Sequence, residues 1–171
     1  MSAAKRSVIP ILILATMFGL MVGSAWNDSP IYDEVAHIPA GFGYVTQLDL
    51  RLNPEHPPLM KALAGLSSQL VVHPVFPTNS AAWKLGDEWA MGRVFLYKSG
   101  NDPGRIVFWA RVPMMLTTLL LGALLFLFAR RRYGVQAAIL ALVFFAFSPT
   151  FLAHEGMSPR TSAFRSASSS R

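Results

Sequence analysis

The chain has 171 residues, 53% of them apolar and only 14% charged, against about 25% charged in soluble domains; this balance argues against an ordinary soluble globule and for an integral membrane protein. With no cysteine, a disulfide framework, a thiol nucleophile and a cysteine zinc site are excluded. The net charge of +6 does not suggest a nucleic-acid partner, because the unbalanced cations (Lys5, Arg6, Arg130 to Arg132 and those of the tail) flank apolar runs, where membrane topology accounts for them better than phosphate binding does.

The first apolar run is Val8 to Ala25, "VIPILILATMFGLMVGSA", close to the ~20 residues that carry a helix across a bilayer. Its closing "GSA" resembles a signal-peptide cleavage site, but the run is long for a signal core and other spans follow, so a retained helix is expected. A loop from Asn27 to Gly104 comes next. Within it, "SPIYDEVAHIPAGFGYVTQLD" predicts a helix capped by Ser29, with Pro30 in the first turn and a break or kink at Pro39. "HPPLMKALAGLSSQL" predicts a second helix starting near Pro58. Its Leu59, Leu63, Leu66 and Leu70 recur on one face, which suits a helix lying along a membrane surface. Trp83, Trp89, Phe95 and Tyr97 fit an interfacial aromatic belt, and "GNDPG" is a turn before the next span. The second span runs from Ile106 to about Phe128 and the third from Val135 to about Ala153, with "RRRYG" between them. The positive-inside rule puts Lys5, Arg6 and Arg130 to Arg132 in the cytoplasm. The 27–104 loop, which holds every acidic residue except Glu155, is then extracytoplasmic. The expected class is an all-α membrane protein: three transmembrane helices, with a large helical loop between the first and second. Residues 155–171, rich in Ser and Arg, read as a disordered tail.

Two polar clusters in the loop carry candidate chemistry. In "YDEVAH", Asp33 and His37 are four residues apart and share a helix face, while Glu34 is rotated away by about one hundred degrees. An aspartate half shielded from water can act as a general base toward a hydroxyl; acids at a helix start are also simply favourable there. In "LNPEHPPLMK", three prolines stiffen the backbone around Glu55 and His56. Such a rigid turn suits a phosphate or sugar site, to which His56 and Lys61 would offer positive charge; a rigid helix start without a ligand is the plainer reading. Asp33, Glu34, His37, Glu55 and His56 supply oxygen and nitrogen ligands for a divalent metal, without a specific metal spacing. Arg111, inside the second span, needs to snorkel, to pair with a loop acid or to meet a lipid phosphate.

Taken together, "DEVAHIPAGFGYV", "LRLNPEHPPLMKALAGL" and "GNDPGRIVFWARVPM" following a first span resemble the membrane glycosyltransferases of the C-type fold. The likeness is to the bacterial branch of the protein O-mannosyltransferase and aminoarabinose transferase superfamily (family 39), over roughly residues 8 to 154. It implies a polytopic plasma-membrane enzyme that takes a sugar from a polyprenyl or dolichyl phosphate and passes it to an acceptor (protein, lipid or glycan) on the external side. It further implies Asp33 as catalytic base with Glu34 as its motif neighbour, and Glu55 and His56 in donor phosphate recognition on the Pro57–Pro58 scaffold. His37, Lys61 and Arg111 join the donor site by weaker correspondence. Elementary chemistry agrees: glycosyl transfer through a cation-like sugar needs a base for the acceptor and a stabiliser for the departing phosphate.

The chain departs from this family in its end. Family members continue through about a dozen spans, and after the third usually carry His, a few residues, then Val-Thr-Thr-Asp-Val-Gly or similar. Here "AHEGMSPRTSAFRSASSSR" follows. Back-translated with free third bases and shifted by two nucleotides, Gly156 to Ala163 can encode that motif. A frameshifted N-terminal portion with little or no transferase activity of its own is therefore expected, against a genuine short protein with a solvated tail. The competing function is a non-catalytic membrane scaffold whose loop binds a partner.

Overall fold

A computed structural model describes residues 3–26 and 28–148. Over these the chain is all-helical: α1 (Ala3–Ala25), α2 (Tyr32–Thr46), α3 (Pro58–Val71), α4 (Ala81–Leu85), α5 (Glu88–Tyr97), α6 (Pro103–Tyr133) and α7 (Val135–Ala146). Two segments are long and apolar enough to cross a membrane: Val8–Ala25 of α1, and α6. Only 22% of either apolar window is buried inside the molecule. Ile11, Leu12 and Leu20 of α1 and Leu116, Leu120, Leu124 and Phe128 of α6 point outward, whereas the core helix of a soluble protein would turn such residues inward. The third expected span is helical over 12 residues, Val135–Ala146, short of the ~20 needed to cross. Its far end and the 155–171 tail lie outside the described residues.

Helices α1 and α6 run antiparallel in a readable register. Arg111 reaches the Ala25 carbonyl at one end, and a Cβ on Gly122 would meet the Leu14 side chain at 3.1 Å further along. The same register carried to the other end sets Lys5 and Arg6 level with Arg130 and Arg131. Helix α7 folds back beside α6, where Gly122 gives room to the Phe145 ring. Met17, Met21, Met115, Phe126, Leu142 and Phe145 close this three-helix core.

The loop helices build a second body on the first turns of α6. Ile38, Phe42, Phe95, Leu96, Ile106 and Val107 form its centre, with Phe42, Phe76, Phe95 and Trp83 in ring contact at 5.1–5.5 Å. Trp83 and Phe95 are thus core residues of the loop, not members of an interfacial belt; of the expected four, Tyr97 is exposed, and Trp89 stacks on Tyr32 at 4.2 Å.

Helix α2 corrects two expectations. It begins at Tyr32, not at Pro30, because the Glu34 carboxylate accepts from the Ile31 amide at 2.9 Å and takes over the capping. It also passes through Pro39 to Thr46. The missing proline N–H frees the Val35 carbonyl, and Gly92 of α5 lies against that carbonyl, where any Cβ would collide. Packing of α5 covers the defect. At the crossing of α2 and α3, Gly41 meets the Lys61 carbonyl and Gly65 meets the Gly41 backbone, so two glycines set how closely these helices approach. Helix α3 is inverted relative to a soluble amphipathic helix. It buries Lys61, Gly65 and Ser68 and exposes Leu59, Leu66 and Leu70 at 66%, 43% and 66%. Ser67 Oγ ties it to α6 by donating to the Trp109 carbonyl at 2.6 Å.

Candidate functional site

The first turn of α2 is locked to α6 by one ion pair. Arg111 Nε and Nη2 donate to the two carboxylate oxygens of Glu34 at 2.8 and 2.9 Å, and Nη2 also donates to the Ser29 carbonyl at 3.1 Å. The pair is largely buried, with side chains 5% and 20% exposed. Arg111 therefore pairs with a loop acid, the second of the fates expected for it. Both Glu34 oxygens are engaged, so Glu34 fixes the helix rather than standing free beside Asp33.

The turn before α3 is held by a buried polar web. Asn53 takes φ 53°, a left-handed conformation that asparagine tolerates better than most residues. The Lys61 ammonium donates to the Asn53 carbonyl (2.6 Å), to Asn53 Oδ1 (2.7 Å) and to the His56 carbonyl (3.0 Å). The Tyr44 hydroxyl reaches the Leu52 and Asn53 carbonyls at 2.6 and 2.9 Å, and Asn53 Nδ2 donates to Glu88 Oε2 at 2.6 Å. An ammonium has three protons, and these contacts occupy all of them. Lys61 thus offers charge to an anion nearby but no hydrogen bond. Burial draws its pKa down, and the Glu88 and Glu55 charges pull the other way.

The two clusters meet at His37 and His56, whose rings stand 5.3 Å apart. Between them and α6 lies a cavity of about 340 Å³. It is lined by the polar residues Glu34, His37, His56, Lys61 and Arg111 and, over most of its surface, by apolar ones, among them Ile38, Pro57, Met60, Ala64, Ala110 and Met114. Burial lowers the pKa of His37; the Lys61 and His56 charges lower it further, while Asp33 and Glu88 oppose them. These influences together favour the neutral imidazole, which keeps one ring nitrogen as an acceptor.

Five of the sequence-derived candidates, Glu34, His37, His56, Lys61 and Arg111, therefore line one cavity. Asp33 is exposed in the first turn of α2, one turn before His37 and close enough to act on its charge. Glu55 is exposed on the turn and acts on Lys61 only through its charge. Among the described residues no group of three or more His, Asp or Glu is arranged to hold a metal ion. Sequence reasoning missed Tyr44, Asn53 and Glu88, which hold the turn, and Met60, Ala110 and Met114, which wall the cavity. Met114 follows from Arg111 by helical spacing, and Ala110 from Met114; Glu88, 35 positions from Asn53, carries no local signal. Comparison with protein families, with characterised proteins and with solved structures finds no match to this chain.

Proposed function

We propose that this chain forms the extracytoplasmic donor side of a plasma-membrane glycosyltransferase that uses a sugar carried on a polyprenyl phosphate. The observation that carries the reading is the cavity of about 340 Å³ beside a membrane-length helix, lined by an ammonium and two imidazoles together with a larger apolar surface that includes Met60 and Met114. A donor with a charged head and a lipid tail matches that polarity. In this reading Lys61 supplies positive charge to the phosphate, His56 adds a ring N–H donor, and the Glu34–Arg111 pair holds α2 against α6. Asp33, exposed one turn before His37, takes the proton of the acceptor hydroxyl. The N-terminus and Arg130 to Arg132 face the cytoplasm, the loop faces outward, and the exposed leucines of α3 rest in the outer membrane surface.

The test is photolabelling of membranes containing the chain with a diazirine polyprenyl-phosphate sugar. Labelling is expected on α3 and α6 peptides around Met60 and Met114, and His56→Ala with Met114→Trp is expected to reduce it. Labelling by the matching unphosphorylated polyprenol at equal strength, or labelling indifferent to both substitutions, would overturn the donor reading. Where membranes show transfer, Asp33→Asn is expected to abolish it and leave photolabelling intact.

A further inference from the structure

A second cavity, of about 400 Å³, lies where the end of α1 meets the first turns of α6. It is lined by Trp26, Asp102, Gly104, Arg105, Phe108 and Trp109 and shares no residue with the donor cavity. Positions 104, 105, 108 and 109 lie on one side of α6; at one hundred degrees per residue, 110, 111 and 114 lie on another. We propose that this cavity binds a phospholipid of the surrounding leaflet, with Arg105 meeting the headgroup phosphate and the aromatic rings receiving the glycerol and upper acyl chain.

Three observations carry this. Arg105 is exposed and makes no side-chain hydrogen bond or ion pair among the described residues, whereas Arg111, six positions on, is held by Glu34 and backbone carbonyls. The acid at hand does not neutralise it: Asp102 Oδ1 accepts from the Arg105 backbone amide at 3.1 Å and caps the helix. The walls are aromatic and open. Trp26 is 62% exposed, yet its ring meets Phe108 edge-on at 5.1 Å, and Phe108 meets Trp109 at 5.6 Å. A planar cation that can bind phosphate through two N–H groups, directly before the apolar stretch of a membrane-length helix and flanked by tryptophans, is the chemistry of the headgroup level. A free phosphate would engage the guanidinium and leave the rings in water, so a lipid is the occupant that satisfies both halves.

The purified chain in detergent is titrated with dioleoylphosphatidylglycerol and followed by native mass spectrometry. One retained lipid is expected, with retention weakened about tenfold in Arg105→Ala, the scale of one charge-assisted contact. Trp26→Ser is expected to weaken it as well. Arg93→Ala, which removes an exposed arginine of α5 remote from this cavity, serves as the control and retains the lipid. Excess inorganic phosphate is expected to displace nothing. Wild-type retention in both Arg105→Ala and Trp26→Ser, or displacement by inorganic phosphate, overturns the proposal. None of these readouts involves a sugar donor, so the result is independent of the donor reading.

Discussion

Glu34 and Arg111 are separated by 77 positions, and their pairing decides what each can do. Arg111 was legible in the sequence as a cation in an apolar helix that needed a partner. The identity of the partner was not, because the loop offers many acids and only the fold selects one. A buried pair of this kind costs about 3–5 kcal/mol when one member is removed, since the charge left behind has lost its counter-ion. Glu34→Ala is therefore expected to lose about that much stability, and Glu34→Ala with Arg111→Met to regain a large part of it. Thermal unfolding of the single and double variants in detergent measures this; equal losses would mean that the pair is not the source. His37 gives a second prediction. Burial is the main cause that lowers its pKa below the ordinary 6.5, with Lys61 and His56 reinforcing it and Asp33 and Glu88 opposing. Just below pH 6.5 the unfolded chain then binds more protons than the folded one. The contribution of His37 is complete above that pH and is lost as pH falls through the lower folded value. Wild type should weaken over that window more steeply than His37→Gln, by unfolding temperature across a pH series; parallel curves would clear His37.

At the scale of elements, α1, α2, α3 and α6 were legible in the sequence as helices, α4 and α5 were not, and the surroundings of each less still. The leucine spacing of α3 and the proline start at Pro58 were legible, since both are local. That the opposite face would be buried through Lys61, Gly65 and Ser68 was not, because it depends on Gly41 arriving from α2. Pro39 does not break α2, and the glycine that packs against the carbonyl it frees, Gly92, belongs to another helix. Trp83 and Phe95 looked like belt residues because sequence alone cannot separate an aromatic that faces lipid from one that faces Phe42 and Phe76. The inverted polarity of α3 has a testable consequence. Its leucines are exposed on a helix that Ser67 ties to α6, and in the proposed orientation they are expected at the membrane surface. The chain has no cysteine, and single cysteines can report without background. A polarity-sensitive dye on Leu59→Cys or Leu66→Cys is expected to shift to the blue in vesicles and to be quenched by brominated lipid. The same dye on Leu85→Cys, 83% exposed on α4, should stay in a watery environment. Identical spectra at the three positions would remove α3 from the membrane surface.

The whole molecule is two bodies that share α6: a three-helix apolar bundle around Met17, Met115 and Leu142, and a loop domain whose core reaches Ile106 and Val107. The sharing explains why the His37–His56 cavity and the Arg105 cavity both sit at the same end of the long helix, since only there does α6 have the loop or the end of α1 beside it. The antiparallel register puts the two basic clusters, Lys5–Arg6 and Arg130–Arg132, at the far end. Charge segregation was legible in the sequence; that both clusters end at one level needed the contact of Gly122 with Leu14 and of Arg111 with Ala25. Positive charge is retained on the cytoplasmic side during insertion, so the cavity-bearing end is expected outside. Leu85→Cys and Tyr133→Cys test this without altering a charge, both being well exposed at 83% and 73%. A membrane-impermeant maleimide applied to intact cells should modify Leu85→Cys and spare Tyr133→Cys until the cells are opened. The reverse pattern would turn His37, His56 and Lys61 toward the cytosol, and a sugar delivered from the outer leaflet could then no longer reach them.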